Sequence, residues 1–229
     1  MAQKENKAGL LKRIFLVFLV IGPASLLVLF SSRSCEHKFK ELDDMGKLSS
    51  YSFTGIDGKK YTEKSFKGQV VLFSTIQPTC PDSCSVSIWF LDRSIYQNIQ
   101  KNKKKLGHVK IVSFVTDGYG KSVDDLKDMN FILNDQVVNY DPKIWILAKG
   151  DPKQVYNISR NGNNLLQKGD KYFGGEAFQE LLLLADKENH LRMVLEGNEE
   201  GMVRTMFQHM ALLDKQYDKE AYRKKHPKK

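Results

Sequence analysis

Three short, unbroken apolar runs decide most of what this chain can become: QVVLFST at 69–75, HVKIVSFV at 108–115 and KIWILA at 143–148. Runs of this length, rich in β-branched and aromatic residues and lacking polar alternation, read as strands buried on both faces. Between the first two, Val86, Trp89, Phe90, Ile95, Tyr96 and Ile99 recur at helical spacing, which predicts an amphipathic helix from Asp82 to about Leu106. Between the second and third, Ser122 and Asp125 resemble a capping box that opens a helix through about Leu133. After the third, Asp151-Pro152 supplies a cap and a first-turn proline for another helix. Strands and helices alternating in this order belong to an α/β fold, with one central sheet covered on both faces.

The flanks complete the pattern. Asp57-Gly58 between two alternating runs predicts a hairpin ahead of the first buried strand. The stretch 161–175 has no periodicity and reads as a surface loop, while QELLLLAD (179–186) and LRMVLEG (191–197) around KENH form a closing hairpin. A helix from Glu199 to about Gln216 follows it, and the basic tail at 217–229 reads as frayed. The folded domain is expected at 48–216, preceded by a polar linker at 32–47.

The net charge of +9 would suggest nucleic acid if it were spread over the body. It is not. Lysines and arginines gather before residue 14 and after residue 214, leaving the middle close to neutral, so a nucleic-acid-binding face is not expected. The first cluster precedes IFLVFLVIGPASLLVLF, a run without a charged residue. A bilayer needs about 17–25 such residues in a helix, which predicts a transmembrane anchor at 14–31. The positive residues at 1–13 place that tail in the cytoplasm and the domain outside, which in a cell inner membrane means the periplasm.

An outward-facing domain sits in an oxidising compartment, where cysteines pair unless employed otherwise. Of the three cysteines, Cys35 falls in the linker, and Cys80 and Cys84 form the couple in QPTCPDSCSV. This loop joins the first buried strand to its helix, outside the strand's carboxyl end, where open α/β sheets place their sites. Near a helix N-terminus thiols ionise readily, and thiolates attack disulfides or bind copper(I). A four-ligand zinc site lacks a second cysteine pair. A redox couple, a copper(I) site and a structural disulfide all remain open on the residues alone. Asp82 could cap the helix or relay protons, and Asp117 could wall the site.

The run FTGIDGKKYTEKSFKGQVVLFSTIQPTCPDSC resembles the Sco/SenC family, named for synthesis of cytochrome c oxidase, and the likeness continues through IVSFVTD and WILAKGDPKQV. It spans roughly residues 48–214. The resemblance implies a thioredoxin-like fold with a mixed sheet, and a protein that delivers copper to the dinuclear centre of a cytochrome c oxidase subunit or reduces its cysteines. The alternatives are another thiol–disulfide partner, or an assembly factor that only docks. Cys80 and Cys84 match the family's copper-binding cysteines, so the implied activity is that of a metallochaperone or a thiol–disulfide oxidoreductase. The family's third ligand, a histidine, aligns at about Phe178, and no histidine lies between His108 and His190. A substitute ligand such as Glu176 would favour the chaperone. Two thiolates alone favour exchange and copper(I) over copper(II), which prefers nitrogen and oxygen donors.

Overall fold

The computed structural model describes residues 12, 15–19, 21–23, 25–28, 41–78, 86–160, 163–164 and 177–226. The chain divides into two units, Met1–Lys40 and Glu41–Lys229. In the first, the described residues between Phe15 and Val28 are helical, and Phe15, Phe18, Leu27 and their apolar neighbours are exposed. No helix among the described residues is long and apolar enough to cross a membrane; the anchor expected at 14–31 lies partly outside them.

In the second unit the predicted runs become strands almost where expected. The hairpin is β1 (Ser52–Gly55) and β2 (Lys60–Thr62), turning through Gly58 at φ +73°, a left-handed conformation that costs glycine little. The buried strands are β3 (Val70–Ile76), β4 (Val109–Val115) and β5 (Trp145–Lys149). A two-residue pairing of β6 (Ser159–Arg160) with β7 (Asn163–Asn164) occupies part of the expected surface loop. The closing hairpin is β8 (Leu181–Ala185) and β9 (Leu191–Glu196).

Seven strands form one mixed sheet in the order β2-β1-β5-β4-β3-β8-β9. β3, β4 and β5 run parallel at its centre, with antiparallel β1 and β8 beside them. Period-two alternation divides each central strand between two cores. Leu72, Ile76, Ile111, Val115, Trp145 and Leu147 face one, while Val71, Phe73, Val112, Phe114, Ile146 and Ala148 face the other. The first face carries a buried polar contact as well, Ser74 Oγ to Ser113 Oγ at 2.6 Å, with the Trp145 indole donating to Ser113 at 2.8 Å. This satisfies the hydroxyls that a two-sided apolar strand would otherwise strand.

The helices differ more from the sequence pattern. α1 covers residues 88–101, as Ile88–Leu91, a π-helical stretch Asp92–Tyr96 and Gln97–Lys101. It breaks at Asn102 before the single turn α2 (Lys103–Leu106). It therefore begins at Ile88 rather than at Asp82. Ser87 is its cap, accepting from the Phe90 N–H at 3.3 Å in extended conformation. α3 (Lys127–Gln136) starts after Asp125, whose carboxylate accepts from the Lys127 N–H at 2.9 Å. The expected partner Ser122 instead accepts from the Gly150 N–H at 2.9 Å, so no capping box forms. α4 (Lys153–Tyr156) is one turn. α5 (Glu200–Lys225) has 26 residues and carries nine more than expected beyond Gln216. Its buried residues Val203, Met206, Met210 and Leu213 join the first core beside Tyr96 and Ile99 of α1.

Residues 41–48, polar and unpatterned in sequence, are strapped to the sheet. Leu42 and Leu48 are buried. The Met45 N–H donates to the Leu191 carbonyl and the Leu191 N–H to the Gly46 carbonyl, both at 2.9 Å. Arg192 donates to the Leu42 carbonyl at 2.6 Å and pairs with Asp186 at 3.1 Å, and His190 meets Asp44 at 2.7 Å. The described strands of the main sheet and both cores lie within Glu41–Lys229, so this unit holds the contacts that its own fold requires.

Candidate functional site

Cys80, Cys84 and Asp82 lie outside the described residues, as do Cys35 and Glu176. The ends of the cysteine loop are described, and they fix where it is attached. β3 delivers the chain at Ile76 to Gln77 and Pro78, and Val86 and Ser87 receive it ahead of α1. The loop thus bridges the carboxyl end of a central parallel strand and the N-cap of a helix, the crevice position expected of a site in an open α/β sheet. In sequence Cys84 is three positions before Ser87, the residue that caps α1.

The downstream end is pinned to the closing hairpin. Val86 is buried, and the Ser87 N–H donates to the Gly197 carbonyl at 3.1 Å. Gly197 must be glycine here, because a Cβ would stand 2.7 Å and 2.9 Å from the two Val86 methyls and 3.0 Å from Leu182 Cγ. Gly197→Ala should cost about 1–3 kcal/mol by overpacking, read as a lowered urea midpoint. Unchanged stability would mean that Val86 is not anchored in this way.

The upstream end is pinned by a buried cluster that the sequence did not announce. The Thr75 hydroxyl donates to the Gln179 carbonyl at 2.7 Å. The side-chain amides of Gln77 and Gln179, 7% and 3% exposed, hydrogen-bond directly to each other. An amide is oriented by its partners, and those of Gln179 place its nitrogen 3.0 Å from both the Asp117 carbonyl and the Thr116 hydroxyl. Its oxygen then accepts from the Gly120 N–H at 3.1 Å. The second polar atom of the Gln77 amide is buried with no partner among the described residues, three positions before Cys80. Gln179 thereby joins three segments at the carboxyl edge of the sheet: the start of the cysteine loop, the turn 116–120 and the 3₁₀ turn Ala177–Glu180. Asp117, expected as a wall of the site, spends Oδ1 on its own turn, accepting from the Tyr119 and Lys121 N–H groups at 2.8 Å and 2.9 Å.

Phe178, at the aligned position of the family histidine, points into the second core. It is 1% exposed, packs 5.4 Å from the Tyr156 ring, and lies so close to Gly120 that a Cβ there would meet its ring at 2.6 Å. Burial pushes the Tyr156 phenol well above its ordinary range, and its hydroxyl donates to the Leu181 carbonyl at 2.9 Å. Neither Phe178 nor the fully engaged Gln179 amide offers a donor for a metal. The described histidines stand elsewhere: His108 meets Asp214 at 2.8 Å, His190 meets Asp44, His209 meets the Thr205 carbonyl at 2.8 Å, and His226 stacks on Tyr222. Among the described residues no three His, Cys, Asp or Glu side chains gather as a metal site. A cleft of about 380 Å³ lined by Phe66, Lys67, Val71 and Asp186 opens at the other end of β3 and takes no part in this arrangement.

No family model and no curated protein matches the sequence. Solved structures do match the fold. A SCO1/SenC family lipoprotein from Bacillus anthracis str. Ames superposes with a TM-score of 0.51 at 17% identity, over 74% of this chain and 95% of that one. A putative electron transfer protein from Aquifex aeolicus VF5 superposes with a TM-score of 0.52 at 14% identity, over 75% of this chain and 98% of that one. The domain therefore has a thioredoxin-like α/β architecture. Within that class it has the fold seen in the SCO1/SenC lipoprotein, and at this identity the likeness is one of fold.

Proposed function

We propose that this chain is a Sco-type protein, anchored in the membrane by residues 14–31, whose Cys80 and Cys84 act by thiol–disulfide exchange in assembling the copper centre of cytochrome c oxidase. The observation that carries this reading is the attachment of the Cys80–Cys84 loop. It spans from the carboxyl end of β3 to the cap of α1, in a fold shared with a SCO1/SenC lipoprotein. The exposed apolar side chains of the helical residues between Phe15 and Val28 support the anchor.

The chemistry follows from two sulfurs. The Cys80 thiolate attacks a partner disulfide, forming a mixed disulfide and releasing one partner thiolate. Cys84 then attacks the Cys80 sulfur, releasing the second. Two electrons and two protons pass from the pair to the partner, and Cys80–Cys84 becomes a disulfide that a dithiol of the compartment can reduce again. Copper(I) is the cargo suited to the reduced pair, since soft thiolates select it and need no imidazole. The aromatic ring at Phe178, buried away from any donor role, favours exchange over a copper(II) site.

Cys80→Ser or Cys84→Ser should each lower disulfide exchange by more than about 100-fold while leaving the circular dichroism of Glu41–Lys229 unchanged. Anaerobic copper(I) titration of the same proteins should show uptake only where both cysteines remain. A Cys80–Cys84 reduction potential too low for any cellular dithiol to reach would overturn the exchange mechanism. Full rescue of oxidase assembly by the double serine variant would instead make the protein a docking factor.

A further inference from the structure

The last buried residue of α5 is Gln216, and Tyr217 packs half-buried against the first core, accepting from the Lys187 N–H at 3.2 Å with the Lys187 ammonium 4.0 Å over its ring. Beyond it the helix continues for two turns, in which Asp218 and residues 220–226 are exposed. Nothing in the fold asks for these turns, and unpacked helical ends ordinarily fray. Asp218, Lys219 and Glu220 stand at their start and only cations at their tip: Arg223, Lys224 and Lys225, with Lys228 and Lys229 following in sequence. Cations at this end complement the helix dipole, and they concentrate in one place the positive charge that the body of the protein lacks. Tyr222 stands among them, 64% exposed and stacked on His226 at 4.5 Å. The base of this projection is tied to the point where the N-terminal segment joins the folded unit, through Lys219 Nζ to Glu41 Oε1 at 3.4 Å.

We propose that the projecting end of α5 is a membrane-contact element that lies against anionic lipid headgroups, with Arg223, Lys224 and Lys225 as its charge contacts and Tyr222 at the interface. Three features select lipid over other polyanions. The base of the basic projection meets Glu41, where the folded unit begins. A tyrosine accompanies the charges, as at membrane–water boundaries. The rest of the domain has a net charge close to neutral, which does not favour a nucleic acid strand. This surface is independent of the cysteine chemistry; it rests on the proposed membrane attachment only for its location.

The test uses Glu41–Lys229, which lacks the apolar segment, with vesicles of pure phosphatidylcholine or with about one-third phosphatidylglycerol. Sedimentation should show binding to the anionic vesicles at low salt, loss of binding when salt contracts the Debye length to about 3 Å near 1 M, and none to neutral vesicles. Arg223→Glu, Lys224→Glu and Lys225→Glu together should weaken binding by at least about a hundredfold, as the loss of three headgroup contacts implies. Near-UV circular dichroism should stay unchanged, since no core residue is altered. Equal binding by the triple variant, or absence of anionic-vesicle binding by the unaltered unit, would overturn the proposal. So would tighter binding to a single-stranded RNA oligonucleotide than to the vesicles, which would mark a general polyanion site.

Discussion

Phe178→His should destabilise the domain by about 3–5 kcal/mol without creating a copper(II) site. The substitution writes the family's histidine into the aligned position, and on sequence grounds it ought to complete a ligand set. In this fold the ring at 178 fills the second core beside Tyr156 and under the Gly120 backbone. An imidazole there gives up apolar burial and leaves polar nitrogens without partners. Total stabilities run to about 5–15 kcal/mol, so a urea titration will show the loss as a large fall in midpoint. A stable variant that gained a cysteine-dependent copper(II) absorption band would mean that residue 178 can reach the cysteine loop.

Gln179→Leu should cost about 3 kcal/mol or more, because it strips partners from several buried groups at once. The Thr116 hydroxyl, the Gly120 N–H, the Asp117 carbonyl and the Gln77 amide all lose the same side chain. Gln77→Leu alone should cost less, and the double variant less than the sum of the two, since removing both members of a buried pair leaves fewer orphans. The same variants separate anchoring from mere stability. If the glutamine pair sets the start of the loop, the rate at which Cys80 reacts with iodoacetamide should change in Gln77→Leu under fully native conditions. An unchanged rate, or additive energies in the cycle, would show that the amides support the fold and not the loop.

The contrast between these two residues shows what a sequence can disclose here. The buried strands were legible because β-branched and aromatic residues accumulate in runs that no helix or loop tolerates, as in Val70–Ile76 and Val109–Val115. The start of α1 was not, because Val86 continues the helical spacing of Trp89 and Phe90 yet is buried by contact with Gly197, which lies on the closing hairpin. The length of α5 was missed for the opposite reason. Its apolar stripe stops near Tyr217, while charged and tyrosine residues carry the helix onward to Lys225. The cysteine pair announced itself by residue type. Gln77 and Gln179 could not, since each is an ordinary glutamine until strand pairing brings together positions 102 residues apart. A faint signal did exist: Thr75 and Gln77 alternate at the carboxyl end of β3 and just beyond it, as buried polar groups awaiting partners do.

The strap at 41–48 also bears on how the molecule avoids its own copies. A seven-stranded open sheet has two outer edges, each a template on which another chain could add a strand. One edge is β2, only three residues long and opened by Lys60. At the other, the backbone N–H and C=O of Leu191 are already taken by Gly46 and Met45. Part of the protection against edge-to-edge pairing therefore resides in a segment that reads as spacer, and trimming the protein to its recognisable core would expose the start of β9.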